Sequence, residues 1–146
     1  MAQVTFTITG KPLGKPRMTR TDRWKKRPCV LRYWAWKDRL LYEVKSQIGK
    51  LPEANSVTSL SWTACFAMPK SWSKRKRAEL LGQLHRQKPD RDNIDKALLD
   101  ALYDEDSGIA AGSLRKEWGT EDRLTVTIEH ERSAMQLASA MTLKAA

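Results

Sequence analysis

The sequence predicts an α+β fold in which a small mixed β-sheet is packed by helices on one face, with the elements in the order βαβααββ. Two kinds of periodicity and one number carry that expectation. Several stretches alternate apolar and polar residues with the period of a half-buried strand, and others repeat apolar side chains every three to four residues, as a helix lying on a core does. The number is the length: 146 residues bury one core and are too few for two ordinary domains. Residues 1–132 are therefore read as one domain and 133–146, rich in Ala and Met, as a tail.

Taken in order, residues 3–9 place Val4, Phe6 and Ile8 on one side of a strand, ended by Gly10, Pro12, Gly14 and Pro16. Residues 10–32 hold nine Lys/Arg and one Asp among helix-breaking residues and read as a long basic loop. Tyr33, Trp36, Leu40, Leu41, Val44 and Ile48 give residues 33–48 a helical apolar face, with Gly49 as the stop. Leu60, Trp62, Ala64, Phe66 and Met68 predict a central strand that Pro69 ends. Ser73 is placed to cap a short helix over 74–83. That helix opens on Lys74, Arg75, Lys76 and Arg77, cations the helix dipole disfavours there, so these four are expected to serve a partner. Ile94, Ala97, Leu98, Ala101 and Leu102 define a helix over 93–102. An acidic loop follows, then a strand from Ile109 to Glu117, a turn at 118–121 and a last strand with Leu124, Val126 and Ile128 inside.

The net charge is +10, and its distribution is uneven: residues 1–50 carry 13 Lys/Arg against 3 Asp/Glu, and residues 101–146 carry 5 against 8. A front-loaded basic surface binds phosphate by releasing condensed counterions, so nucleic acid is the leading partner, an anionic membrane surface the second, and an uncommitted basic surface the bland alternative. The expected phosphate contacts are Lys11, Lys15, Arg17, Arg20 and Lys74 to Arg77. Cys29 and Cys65 stand far apart without a C-x-x-C pair, which argues against a structural zinc site or a disulfide framework and suits a reducing cytosol. The first residues lack a basic-then-apolar signal pattern, and no apolar run approaches the about 20 residues that span a bilayer. A cytoplasmic protein with no membrane partner and no small-molecule cofactor is expected. Of the six tryptophans, Trp36 and Trp62 fall on core faces. Trp24 and Trp72 sit beside basic runs, where an indole could stack on a base, although packing explains each one singly. His85 and His130 have no partners at ligand spacing and are assigned no role.

Residues 88–109 carry the chemistry. Asp90 and Asp92 alternate just before a helix, on the same side of an extended segment, and Asp106 follows once the helix has run out and the chain has turned back. Three converging carboxylates would suit Mg2+ or Mn2+, hard cations that activate water and stabilise the oxyanions of a phosphodiester displacement. Lys96, one helical turn after Asp92, can reach the same side and neutralise charge on a scissile phosphate. Asn93 could support the metal shell or the helix start, Asp100 could orient Lys96, and Glu105 stands beside Asp106. A structural alternative has Asp92 as an N-cap and Asp95 as a first-turn carboxylate favoured by the dipole. It leaves Asp90, Glu105 and Asp106 without a reason. A calcium EF-hand fails on spacing, because counting from Asp90 puts Asp95 where Gly is needed and Ala101 where Glu is needed.

This stretch resembles the RusA family of Holliday junction resolvases, whose hallmark D-x-D-N-x-x-K is read here as D-R-D-N-I-D-K from Asp90 to Lys96, followed by D-A-L at 100–102 and E-D-S at 105–107. The opening GKPLGKPRMTR is similar to the basic opening of phage-type members, and the likeness extends loosely over residues 3–129. Gly108 departs from the pattern, standing where a glutamine often follows the last acidic pair. The resemblance implies a RusA-like fold and a homodimer, in the cytoplasm of a bacterial or phage-infected cell, that binds four-way DNA junctions and makes paired symmetric nicks with Mg2+ or Mn2+. It further implies that Asp90, Asp92 and Asp106 bind the metal and that Lys96 is catalytic. The competing expectations are a related nuclease acting on flaps or forks and a non-catalytic protein that binds branched DNA.

Overall fold

In the computed structural model, which describes residues 2–23 and 27–132, the chain runs through β1 (Ala2–Thr9), α1 (Pro28–Gln47), β2 (Val57–Ala67), α2 (Lys74–Leu80), α3 (Arg91–Leu102), β3 (Leu114–Gly119) and β4 (Arg123–His130). Short 3-10 turns lie at Arg20–Arg23 and Ala54–Ser56. The strands form one sheet in the order β1-β4-β2-β3. Its β1–β4 and β4–β2 pairs are antiparallel and its β2–β3 pair is parallel. The sheet is therefore mixed, and the fold is α+β.

Register explains the core. Phe6, Val126, Trp62 and Leu114 lie in one row across the four strands, and Ile8, Leu124, Ala64 and Lys116 in the next. Because side chains alternate along a strand, one such row fixes the face of its neighbours two residues away. Phe6, Ile8, Leu60, Trp62, Leu124, Val126 and Ile128 are all buried in a single cluster with Tyr33, Trp36, Leu40 and Val44 of α1 and Ile94, Ala97, Leu98 and Ala101 of α3. Between these rows stand polar ones: the Thr5 and Thr127 hydroxyls are 3.2 Å apart, and those of Thr7 and Thr125 3.3 Å.

Several boundaries differ from expectation. Helix α1 starts at Pro28, so the basic loop ends at Arg27 rather than residue 32. Proline at the first helical position has φ preset and needs no N–H partner, and Val30 behind it is wholly buried. Leu41, expected on the apolar face, is exposed; Leu40 takes the buried position. Helix α2 ends at Leu80, short of residue 83, where Gly82 turns the chain with φ +78°. The strand expected from Ile109 begins at Leu114. Residues before it still run beside β2, with Leu60 N–H donating to the Ala111 carbonyl (2.9 Å) and Trp62 N–H to that of Ser113 (3.0 Å). The approach is so close that a Cβ on Gly112 would stand 1.8 Å from the Leu60 carbonyl oxygen. The tail from 133 and Trp24 lie outside the described residues.

Candidate active site

Helix α3 begins with an unusual cap. Asp90 holds the N-cap position with extended backbone (φ −68°, ψ 148°), yet its side chain makes no cap bond and instead meets Lys88 Nζ at 2.8 Å. Asp92 lies in the first turn rather than at the cap, so it does not cap the helix, although a carboxylate there favours the helix dipole. The side chains of Asp92, Asn93 and Lys96 are exposed and make no hydrogen bond or ion pair among the described residues. Asp95, by contrast, is engaged within the fold, where its Oδ1 accepts the Trp62 indole N–H at 2.9 Å. Asp100 is paired with Lys15 rather than with Lys96.

Beyond α3, Glu105 Oε1 accepts the Ser107 N–H at 3.0 Å, and hydrogen bonds to Ser107 hold its carboxyl below the usual range. Asp106 is half-buried; its carbonyl accepts the Ile109 N–H at 2.9 Å, closing a turn, and its carboxylate has no partner among the described residues. Gly108 fits closely: a Cβ there would stand 2.8 Å from Asn55 Oδ1, an atom that can swing away, and 3.2 Å from the Ala54 carbonyl group. A twelve-residue helix is about 18 Å long, and Asp106 enters past its far end. Among the described residues, no three Asp, Glu, His or Cys side chains form a group that could hold a metal ion. The carboxylate donors suit Mg2+ or Mn2+ in chemistry; their placement in this structure does not form a cage for one.

The basic segment is laid against this helix. Lys15 N–H donates to the Asn93 carbonyl (3.1 Å), and a Cβ on Gly14 would stand 3.1 Å from Pro89 Cβ and 3.3 Å from Asn93 Cβ, so the backbones approach closely. Lys15 Nζ reaches Asp100 and lies 5.9 Å from the Tyr33 ring centre. Downstream, the buried Asp22 carboxylate accepts Arg27 Nε (2.7 Å), Arg27 Nη2 (2.8 Å) and Thr19 N–H (2.6 Å), and the Arg27 guanidinium holds it far below the usual carboxylate range. That clamp leaves Lys11, Arg17 and Arg20 exposed with no ion-pair partner among the described residues. On α2, Ser73 Oγ accepts the Lys76 N–H (3.2 Å), Arg75 pairs with Glu79, and Lys76 Nζ sits 4.2 Å over Trp72. Lys74 and Arg77 have no partner there. Trp72 packs edge-on against Trp118, with ring centres 4.8 Å apart, which gives its indole a structural role.

Two residues escaped the sequence reading. His85 is buried, with its ring stacked 3.9 Å from Phe66 and tilted 4.3 Å from Trp118, and its Nδ1 has no hydrogen-bond partner among the described residues. Burial, followed by the charges of Lys116 and Lys11, pushes its pKa below the ordinary value. Lys116 of β3 donates to the carbonyls of Gln87 (2.5 Å) and Pro89 (2.7 Å), which clamps the segment entering Asp90. The only signal for either was a polar residue in an apolar setting, and periodicity gave it no partner.

An α+β domain whose basic loop and basic helix accompany an acidic helix start, with an Asp and a Lys unpaired among the described residues, has the make-up of a protein that works on nucleic acid. More narrowly, the chain belongs to the RusA endodeoxyribonuclease family: the family model described as Endodeoxyribonuclease RusA matches residues 9–129. It is thus an endonuclease of a family that acts on Holliday junctions. No curated protein matches the sequence. No helix among the described residues is long and apolar enough to cross a membrane.

Proposed function

We propose that this protein is a Mg2+- or Mn2+-dependent resolvase that, as a homodimer in the cytoplasm of a bacterial or phage-infected cell, cuts four-way DNA junctions by paired symmetric nicks. The observation that carries the reading is the exposed pair Asp92 and Lys96, one turn apart at the start of α3 and without partners among the described residues, with the basic segment anchored beside them through Lys15 and Asn93. Charged groups without internal partners are available to a ligand, whereas structural carboxylates such as Asp22 and Asp95 are already engaged.

The divalent ion enters on the chemistry of the donors Asp90, Asp92 and Asp106, not on their spacing. The chain's own side chains have roles independent of it. Lys11, Arg17, Arg20, Lys74 and Arg77 neutralise backbone phosphates, Lys96 meets the charge that develops on the scissile phosphate, and Lys15, held by Asp100, keeps the loop against α3. The dimer follows from symmetry: one site nicks one strand, and resolution needs two nicks on opposed strands of a two-fold junction.

The test incubates purified protein with a labelled synthetic four-way junction, a flap and a duplex, with and without Mg2+, beside Asp92→Asn and Lys96→Ala. Symmetric nicking of the junction by wild type alone is expected. Cleavage that survives both substitutions refutes the site; preference for the flap points to the fork or flap nuclease, and tight binding without cleavage to a non-catalytic junction binder.

A further inference from the structure

Beside the start of α3 lies a cleft of about 350 Å³ lined by Leu84, His85, Arg86, Arg91, Leu114, Arg115 and Lys116. Four of these residues are cationic, and no carboxylate among the described residues lines the cleft. Their charges are unequally available. Arg115 is drawn off by Glu117 (3.0 Å) and the Gly82 carbonyl (3.0 Å), and Lys116 by the Gln87 and Pro89 carbonyls. Arg86 and Arg91 are exposed, and their guanidiniums have no partner among the described residues. His85, also in the wall, keeps its Nδ1 buried and unsatisfied.

We propose that this cleft is a seat for a DNA backbone phosphodiester, held by Arg86 and Arg91 over a floor built by His85, Arg115 and Lys116, and that it fixes the strand beside Asp90. The proposal rests on the nuclease reading and adds to it a contact site outside both basic runs. Two guanidiniums without partners among the described residues present planar forks that match the two unbridged oxygens of a phosphodiester. An unsatisfied buried polar atom in the same wall is where a ligand oxygen or an ordered water completes the bonding. Position gives the seat its use. Arg91 lies between Asp90 and Asp92 in the chain, and Lys116 ties the cleft's floor to the Pro89 carbonyl, so a phosphate held there is in register with the start of α3. A phosphate bound here, in addition to those met by the basic segment, would fix the strand at a further point beside the acidic residues, which positions a bond for cleavage better than one contact can.

The experiment measures binding of a labelled four-way junction in EDTA, where no cutting occurs, as a function of salt. Arg86→Gln/Arg91→Gln is compared with wild type, with Arg86→Lys/Arg91→Lys, and with Lys45→Gln/Lys50→Gln, which removes the same charge elsewhere. The glutamine pair should weaken binding at least about tenfold and lower the slope of log affinity against log salt by about 0.9 per lost contact. The lysine pair should recover most of the affinity, and the remote pair should change it less than about twofold. Methylphosphonates walked along one arm should reveal a phosphate whose neutralisation weakens wild type but not the glutamine pair. If the glutamine pair binds as well as the remote control, the seat is overturned while junction binding by the wild type still stands. If the wild type binds no DNA, the seat and the nuclease reading fall together. Both arginines lack partners among the described residues, so unchanged melting of the glutamine pair is part of the expected result. A glutamine pair that melts far below the lysine pair would assign the arginines to folding and overturn the seat as well.

Discussion

Lys15 and Asp100 form an ion pair that ties the basic segment to α3, with the Lys15 side chain 21% and the Asp100 side chain 32% exposed. The backbone bond from Lys15 to Asn93 makes the anchorage two-point. A pair this close to solvent contributes little stability, on the order of 1 kcal/mol. Asp100→Asn should therefore lower the melting temperature by only about 4 °C. Cleavage should fall more, about tenfold, because the segment that holds the strand loses one of its anchors, while junction affinity stays within about twofold. Melting curves and single-turnover cleavage separate the two effects. A variant that cuts at the wild-type rate would show that the anchorage has no part in positioning.

The scatter of the carboxylates sets an expectation for metal binding. Because Asp90, Asp92 and Asp106 do not stand as a ready group, the protein without DNA should bind Mg2+ only in the millimolar range, as open sites with few protein ligands do. At an ion concentration equal to Kd, the stabilisation is about 0.4 kcal/mol, or a rise of about 1–2 °C in Tm. EDTA should abolish cleavage without loosening the junction complex. Micromolar Mg2+ binding by the free protein, read by calorimetry, would show a preformed site that this arrangement of the side chains does not provide.

Much of the fold was legible because period-two and period-3.6 patterns are local. Val4, Phe6, Ile8 and Leu124, Val126, Ile128 declare their faces, and β1 and β4 pair residue for residue along them. Boundaries set by single residues were harder: Pro28 reads equally as a loop marker and as a helix start, and only the burial of Val30 decides. The acidic stretch could be found from spacing, yet the partners of its members could not. Nothing local distinguishes Asp95, which takes the Trp62 indole, from Asp92, which takes no partner among the described residues, and nothing couples Lys15 to Asp100 across 85 positions. Arg86, Arg91, Arg115 and Lys116 converge only through the pairing of β3 with β2 and of the Leu84 backbone with Glu117.

Close packing of the segment before β3 makes Gly112 a sharp stability probe. A methyl group there would overlap the Leu60 carbonyl at 1.8 Å, and Leu60 belongs to a strand paired on both sides, so the backbone cannot easily give way. Gly112→Ala should cost about 3 kcal/mol and lower Tm by about 10 °C. Gly49→Ala, with positive φ but open space around it, should cost about 1 kcal/mol. Chemical denaturation of the two variants side by side checks the ranking; equal losses would mean that the 109–113 segment moves freely and does not hold β3 in place.

The buried His85 gives the fold a pH dependence whose sign can be worked out. Its folded pKa lies below the ordinary value near 6.5, chiefly because burial disfavours the charged ring and then because Lys116 and Lys11 repel it. Between the folded and unfolded values the unfolded chain binds a proton that the folded chain refuses, so stability increases with pH in that interval. The contribution is complete above about pH 6.5 and is lost as the pH falls below it. Asp22 behaves differently: its carboxylate is held below the ordinary 3.8, so its contribution is lost as the pH falls through and below that value. Wild type should therefore melt several degrees lower at pH 5 than at pH 7.5. His85→Phe keeps an aromatic ring between Phe66 and Trp118 and removes both the titration and the unsatisfied Nδ1, which itself costs about 1–2 kcal/mol when buried. The variant should lose most of the difference between the two pH values; if its melting temperature falls with acid as steeply as the wild type's, another group carries the dependence.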